Sequence, residues 1–83
     1  VKGERVWTVS AGGGPEVLSS GEFMYHGDQW WACTPNGHVA NLKAHQVTEH
    51  PGGTITVWPS ILIKDATQAL YHGWLTAGVW RDA

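Results

Sequence analysis

Eighty-three residues with five basic and seven acidic side chains, a net charge of −2, make one domain and no second core. The lysines and arginines (Lys2, Arg5, Lys43, Lys64, Arg81) lie far apart, so the concentrated positive surface of a nucleic-acid binder is not expected. The lone cysteine, Cys33, excludes an intramolecular disulfide, and no apolar run approaches the ~18 residues of a membrane span or follows a basic leader.

In chain order, "ERVWTVS" predicts a strand with Val6 and Thr8 on one face and Trp7 and Val9 on the other. "AGGGPE" ends it. The triple glycine Gly12 to Gly14 has no Lys-Ser/Thr after it, so it predicts a loop and not a phosphate cradle. "EVL", "EFMYH" and "QWWAC" predict short strands, with a tight turn at Gly27-Asp28 between the last two. "TPNGH" is the strongest turn signal, and "HVANL" resumes the strand. "HQVTEH" and "TITVW" flank a second hairpin signal, "PGG". Pro59 has no N–H for a ladder and marks an edge, a bend or the start of "SILI". "KDATQ" turns, "ALYHGWL" runs back, and "TAG" turns into "VWR". One helical stretch competes, "DATQAL" capped by Asp65. The expected fold is all-β: residues 1–83 as a single compact domain, a small antiparallel meander or barrel-like sheet of short strands with at most one helical turn.

With no disulfides, a domain this small needs another source of stability, and six tryptophans can each bury roughly 150–250 Å². Cys33 with any of the five histidines supplies the residue types of a thiol nucleophile, but after Trp30, Trp31 and Ala32 it reads as a small buried hydrophobe. The carboxylates fall at turns and edges, with no cleft to hold a catalytic pair. No catalytic set is expected, and the chain is read as a non-enzyme.

Metal is the sharper alternative. Cys33 and His38 bracket the "TPNG" turn, and His72 can reach them from another strand, so the three are candidate zinc ligands. Strand alternation sends Trp30 and Trp31 to opposite faces and puts Leu70, His72 and Trp74 on one face of the last long strand, with Tyr71, Gly73 and Leu75 on the other. Adjacent tryptophans leave at least one needing cover from a loop, a second sheet or a partner. Trp30, Trp31, Trp58 and Trp74 are therefore the candidate interaction residues. Aromatic faces also stack on sugars and bases, but no polar cluster shaped for sugar hydroxyls is visible along the chain. Gly73 should let Trp58 or Trp80 cross closely, and Gly78 should supply the positive φ of the last turn.

"WWACTPNGH", "TITVWPSILI" and "YHGWLTAGVW", spanning Trp30 to Trp80, resemble a family of small bacterial and phage-encoded domains of unknown function. The resemblance rests on Cys33 and the turn to His38, on Thr56, Pro59, Ser60 and Ile61, and on His72, Trp74, Gly78 and Trp80. It implies a cysteine-rich metal-binding turn, of which this chain keeps one cysteine. It also implies a phage-like accessory or structural protein, found in the host cytoplasm or the virion without a signal peptide. The function expected is contact with another protein or with copies of itself, as in virion assembly, and the alternative is a small zinc-stabilised domain.

Overall fold

The computed structural model describes residues 1–7 and 14–83. Two four-stranded sheets form. The first contains β1 (Glu4–Arg5), β2 (Glu22–His26), β3 (Gln29–Cys33) and β4 (Val39–Asn41), in that order. The second contains β5 (Gln46–Glu49), β6 (Ile55–Lys64), β7 (Ala69–Thr76) and β8 (Val79–Asp82), also in order. The all-β, mainly antiparallel reading holds. The barrel-like variant does not, because the two sheets never close on each other.

The meander inside each sheet follows from local turn chemistry. Gly27 and Asp28 both adopt positive φ, 62° and 64°, the conformation that joins two right-twisted strands through two residues. Ala77 and Gly78 repeat it at 47° and 77°, with Gly78 in the role expected of it. In the "TPNGH" turn Gly37 has φ 93°, and fully buried Thr34 organises the rest. Its Oγ1 accepts from the His38 N–H, and its backbone N–H donates to the His38 carbonyl. Asn36 then donates from Nδ2 to the Leu70 carbonyl at 2.8 Å, tying this hairpin to the second sheet.

Four local expectations change. Among the described residues the first strand pairs over Glu4–Arg5, in parallel with β2; Thr8, Val9, Gly12 and Gly13 lie outside them. "EVL" is not a strand: Pro15 opens a single 3-10 turn, Pro15–Val17, which delivers Leu18 to the interior. "DATQAL" is not helical, because Asp65 Oδ1 accepts from the N–H groups of Thr67 and Gln68 and closes a turn. Third among the strands, "TITVW" and "SILI" form one ten-residue strand, β6, interrupted by a bulge. Between the pairs Val57–Leu75 and Ile61–Gly73, Trp58, Pro59 and Ser60 lie opposite Trp74 alone. The bulge lets an N–H-free residue sit inside a strand.

The main core lies between the sheets. Phe23, Ala32 and Leu42 from one side meet Ile55, Val57, Ile61, Tyr71, Leu75 and Trp80 from the other. A smaller cluster of Leu18, Met24 and Cys33 covers the opposite face of the first sheet, with Val6 and Trp31 against it. The N-terminal segment stitches the two layers. Lys2 bridges Val79 on β8, while the N–H groups of Glu4 and Val6 donate to Gly21 and Phe23 beside β2. No helix among the described residues is long and apolar enough to cross a membrane.

Candidate interaction face

Among the described residues, the first sheet is therefore covered on both faces and the second only on its inner one. Alternation along β6 and β7 puts Thr56, Trp58, Leu62 and Lys64 on the outer face with Leu70, His72, Trp74 and Thr76, and β8 adds Val79 and Arg81. At its centre Trp58 stacks on Trp74, ring centroids 5.4 Å apart and planes tilted by 34°. The bulge at Pro59 lifts Trp58 outward, leaving it 61% exposed, and Leu62 beyond it is 47% exposed. The same bulge carries Ser60 toward β7, where its hydroxyl hydrogen-bonds His72 Nε2 at 3.0 Å.

Two cations stand on this face although the chain is acidic overall. Lys64 and Arg81 are its cations, and neither is ion-paired among the described residues. Asp65 and Asp82 sit beside them at the rim: Asp65 in the β6–β7 turn, Asp82 opposite the inward-facing Gly73. Three large apolar side chains, Trp58, Leu62 and Trp74, and two cations therefore share one sheet face.

The four candidate tryptophans divide between fold and surface. Trp30 and Trp31 do point to opposite faces. Trp30 is half-buried against the main core, with the Arg5 guanidinium 4.8 Å from its ring centre. Arg5 also lies 3.8 Å over Trp7 and pairs with Glu49, so this cluster ties β1 to the second sheet. Trp31 packs on the smaller cluster and donates its indole N–H to the His26 carbonyl at 3.1 Å. Of the four, Trp58 and Trp74 remain on a face that no other element covers among the described residues. Leu62, Lys64 and Arg81 were missed as members of that face. The signal was available: counting by twos from Trp58 reaches Ser60, Leu62 and Lys64, because a bulge of two extra residues preserves the parity of the strand.

The metal set is not assembled. Among the described residues no group of three His, Cys, Asp or Glu side chains could hold a metal ion. The reason is facial: Cys33 is buried under Leu18 and Met24 on the far side of the first sheet, and His72 is exposed on the outer face of the second. His38 is half-buried at its hairpin. Burial pushes the Cys33 thiol above its ordinary pKa, and the nearby Glu22 carboxylate adds to the effect. Native protein is expected to react with a thiol reagent such as DTNB far more slowly than urea-unfolded protein. The sign of the linkage follows. The protonated thiol's contribution to stability is complete below the unfolded thiol's pKa and is lost as pH rises through the higher native value. Urea midpoints of wild type and Cys33→Ala should therefore converge as pH climbs through the alkaline range; unchanged spacing would remove this account.

Comparison of the chain with known protein families, with curated proteins and with solved structures finds no match. The resemblance to the phage-encoded family is thereby overturned. No family matches, and the turn that should be cysteine-rich holds Cys33 alone, facing a hydrophobic cluster.

Proposed function

We propose that this domain is a non-catalytic binding module whose β5–β8 outer face docks on another protein, one presenting an apolar surface rimmed by carboxylates. The observation that carries the reading is Trp58, 61% exposed and stacked on Trp74 on a sheet face that none of the described residues covers. Tryptophan and arginine dominate the energetics of protein contacts because each removes a large, stiff surface from water on binding. Lys64 and Arg81 select the partner's sign: unpaired cations beside an aromatic patch speed encounter with carboxylates and disfavour basic surfaces.

Selection of the purified domain against a displayed random-peptide library tests this. The expected peptides combine Asp or Glu with Leu, Phe or Trp. Binding should vanish in Trp58→Ser/Trp74→Ser and fall severalfold in Lys64→Glu/Arg81→Glu, about 1 kcal/mol or less per exposed charge. Folding should survive, since the exposed Trp58–Trp74 contact itself contributes about 0.5–1.5 kcal/mol. Enrichment of basic peptides, or of none, sinks the proposal. A wild-type dimer at micromolar concentration that dissociates on the tryptophan substitutions would replace the foreign partner by a second copy.

A further inference from the structure

We infer that the cleft between the β2–β3 turn and the β4–β5 link is a second, separate binding site, for a neutral hydroxylated ring of the monosaccharide class. The starting point is Tyr25. Its parity along β2 is that of Phe23, which is 1% exposed in the main core, yet Tyr25 is 51% exposed. The space between the sheets therefore opens to solvent at this end. The opening is a cleft of about 440 Å³, larger than one sugar ring.

Its walls have two kinds of chemistry. Tyr25 pairs across the hairpin with Trp30, edge to face at 5.2 Å, and with Leu42 and Val47 these rings supply an apolar surface. The C–H face of a pyranose suits such a surface. Around it stand Asp28 and Gln29 from the β2–β3 turn and Lys43 and His45 from the link. Asp28 and Lys43 are opposite in sign and form no ion pair with each other, so an anion meets one and a cation the other. A neutral ligand offers hydroxyls to both.

His45 sharpens the choice between a polyol and a plain aromatic ring. Its Nε2 lies 3.1 Å from the Ser60 carbonyl, which can only accept, so Nε2 carries the proton. Nδ1 is then an acceptor, and it is buried with no donor from the described residues. That atom is enclosed by protein, so a hydroxyl in the cleft reaches it only if the ring shifts, and the cost of an unsatisfied buried acceptor, about 1–3 kcal/mol, favours such a shift. Together the cleft-lining groups offer acceptors at Asp28 and Gln29 and donors at Lys43 and Gln29. A ring with several hydroxyls answers both sets at once, whereas phenol brings a single hydroxyl and benzene none.

The test is an ¹H–¹⁵N NMR titration of the whole chain with methyl glucoside, methyl galactoside and N-acetylglucosamine, with phenol as the aromatic control. At least one sugar should shift the amides of Tyr25 to Trp30 and Leu42 to Val47 together with the His45 ring, with a dissociation constant of about 1 mM, typical of a weak single-ring site. Tyr25→Ala should weaken it about tenfold, the loss of one aromatic contact. Asp28→Asn keeps a residue that tolerates positive φ, so it should leave the melting temperature unchanged while weakening the sugar severalfold. If Tyr25→Ala fails to fold, Asp28→Asn decides. No localised shift with any of the sugars, shifts with phenol alone, or undiminished binding in Asp28→Asn would overturn the inference. Shifts centred on Trp58 and Trp74 would also overturn it, without bearing on the peptide selection proposed for that face.

Discussion

Trp80→Ala should lower the unfolding free energy by about 3–5 kcal/mol, the range for removing a large aromatic from a core. A domain of this size has only about 0.05–0.15 kcal/mol of stability per residue, so most of the folded population is at stake. Trp80 holds three connections at once. Its ring is 2% exposed in the core between the sheets and meets Tyr71 edge to face at 5.8 Å. Its indole N–H donates to the Gly21 carbonyl at 2.9 Å, a buried bond from β8 to the start of β2. Its backbone N–H donates to the Val1 carbonyl at 2.7 Å, holding the N-terminal segment that stitches the layers. Trp80→Phe separates these roles. It keeps most of the ring but loses the indole bond to the Gly21 carbonyl, which then accepts from the Glu4 N–H alone, and should cost about 0.5–1.5 kcal/mol. Urea unfolding followed by far-ultraviolet circular dichroism reads both without depending on tryptophan emission. A loss below about 1 kcal/mol for the alanine variant, the size of an ordinary surface effect, would show that the two sheets do not depend on this residue.

Gly73→Ala should cost about 2–3 kcal/mol although it adds one methyl group, because overpacking a filled interior forces side chains and backbone to move. A Cβ at this position would run into Tyr71 Oη and lie 2.7 Å from the Arg81 carbonyl. The crowding neighbour is thus Tyr71, two residues back on the same face, and not Trp58 or Trp80 as the chain reading expects. The phenol lies over the glycine with its hydroxyl buried and without a partner among the described residues. Burial, and then the charge of Asp82, push its pKa upward. Tyr71→Phe alone should therefore be neutral or slightly stabilising, since it removes a buried group that gains no hydrogen bond among the described residues. Placing Gly73→Ala in the Tyr71→Phe background should recover part of the loss. The remainder reflects the Arg81 carbonyl, which belongs to the β7–β8 ladder and cannot swing away. A single alanine variant with wild-type stability would mean that the strands shift freely at this point.

How far the chain could be read follows the range of each interaction. Hairpin turns were legible because positive φ is a local demand: Gly27-Asp28, Gly37 and Gly78 all meet it within four residues. The opposed faces of Trp30 and Trp31 were legible for a similar reason, the two-residue period of a strand. "EVL" misled because β-branched, apolar residues resemble a strand, while Pro15 before them starts a 3-10 turn just as locally. The metal trio failed differently. Cys33, His38 and His72 were joined by residue type, and type says nothing about which face of which layer a side chain occupies.

By itself, then, the sequence determined an all-β chain, the places where it turns and the two faces of each strand, since these depend on backbone dihedrals and side chains a few residues apart. Tertiary structure decided the rest. It divided one meander into two sheets between Asn41 and Gln46, ran the first strand parallel to β2, and buried Trp80 while leaving Trp58 open. It also gathered Tyr25, Asp28, Lys43 and His45 around one cleft, so the polar cluster invisible along the chain exists only in the fold. Alternation offers each strand two faces of equal standing; only stacking against a second layer makes one of them the core and leaves the other to solvent.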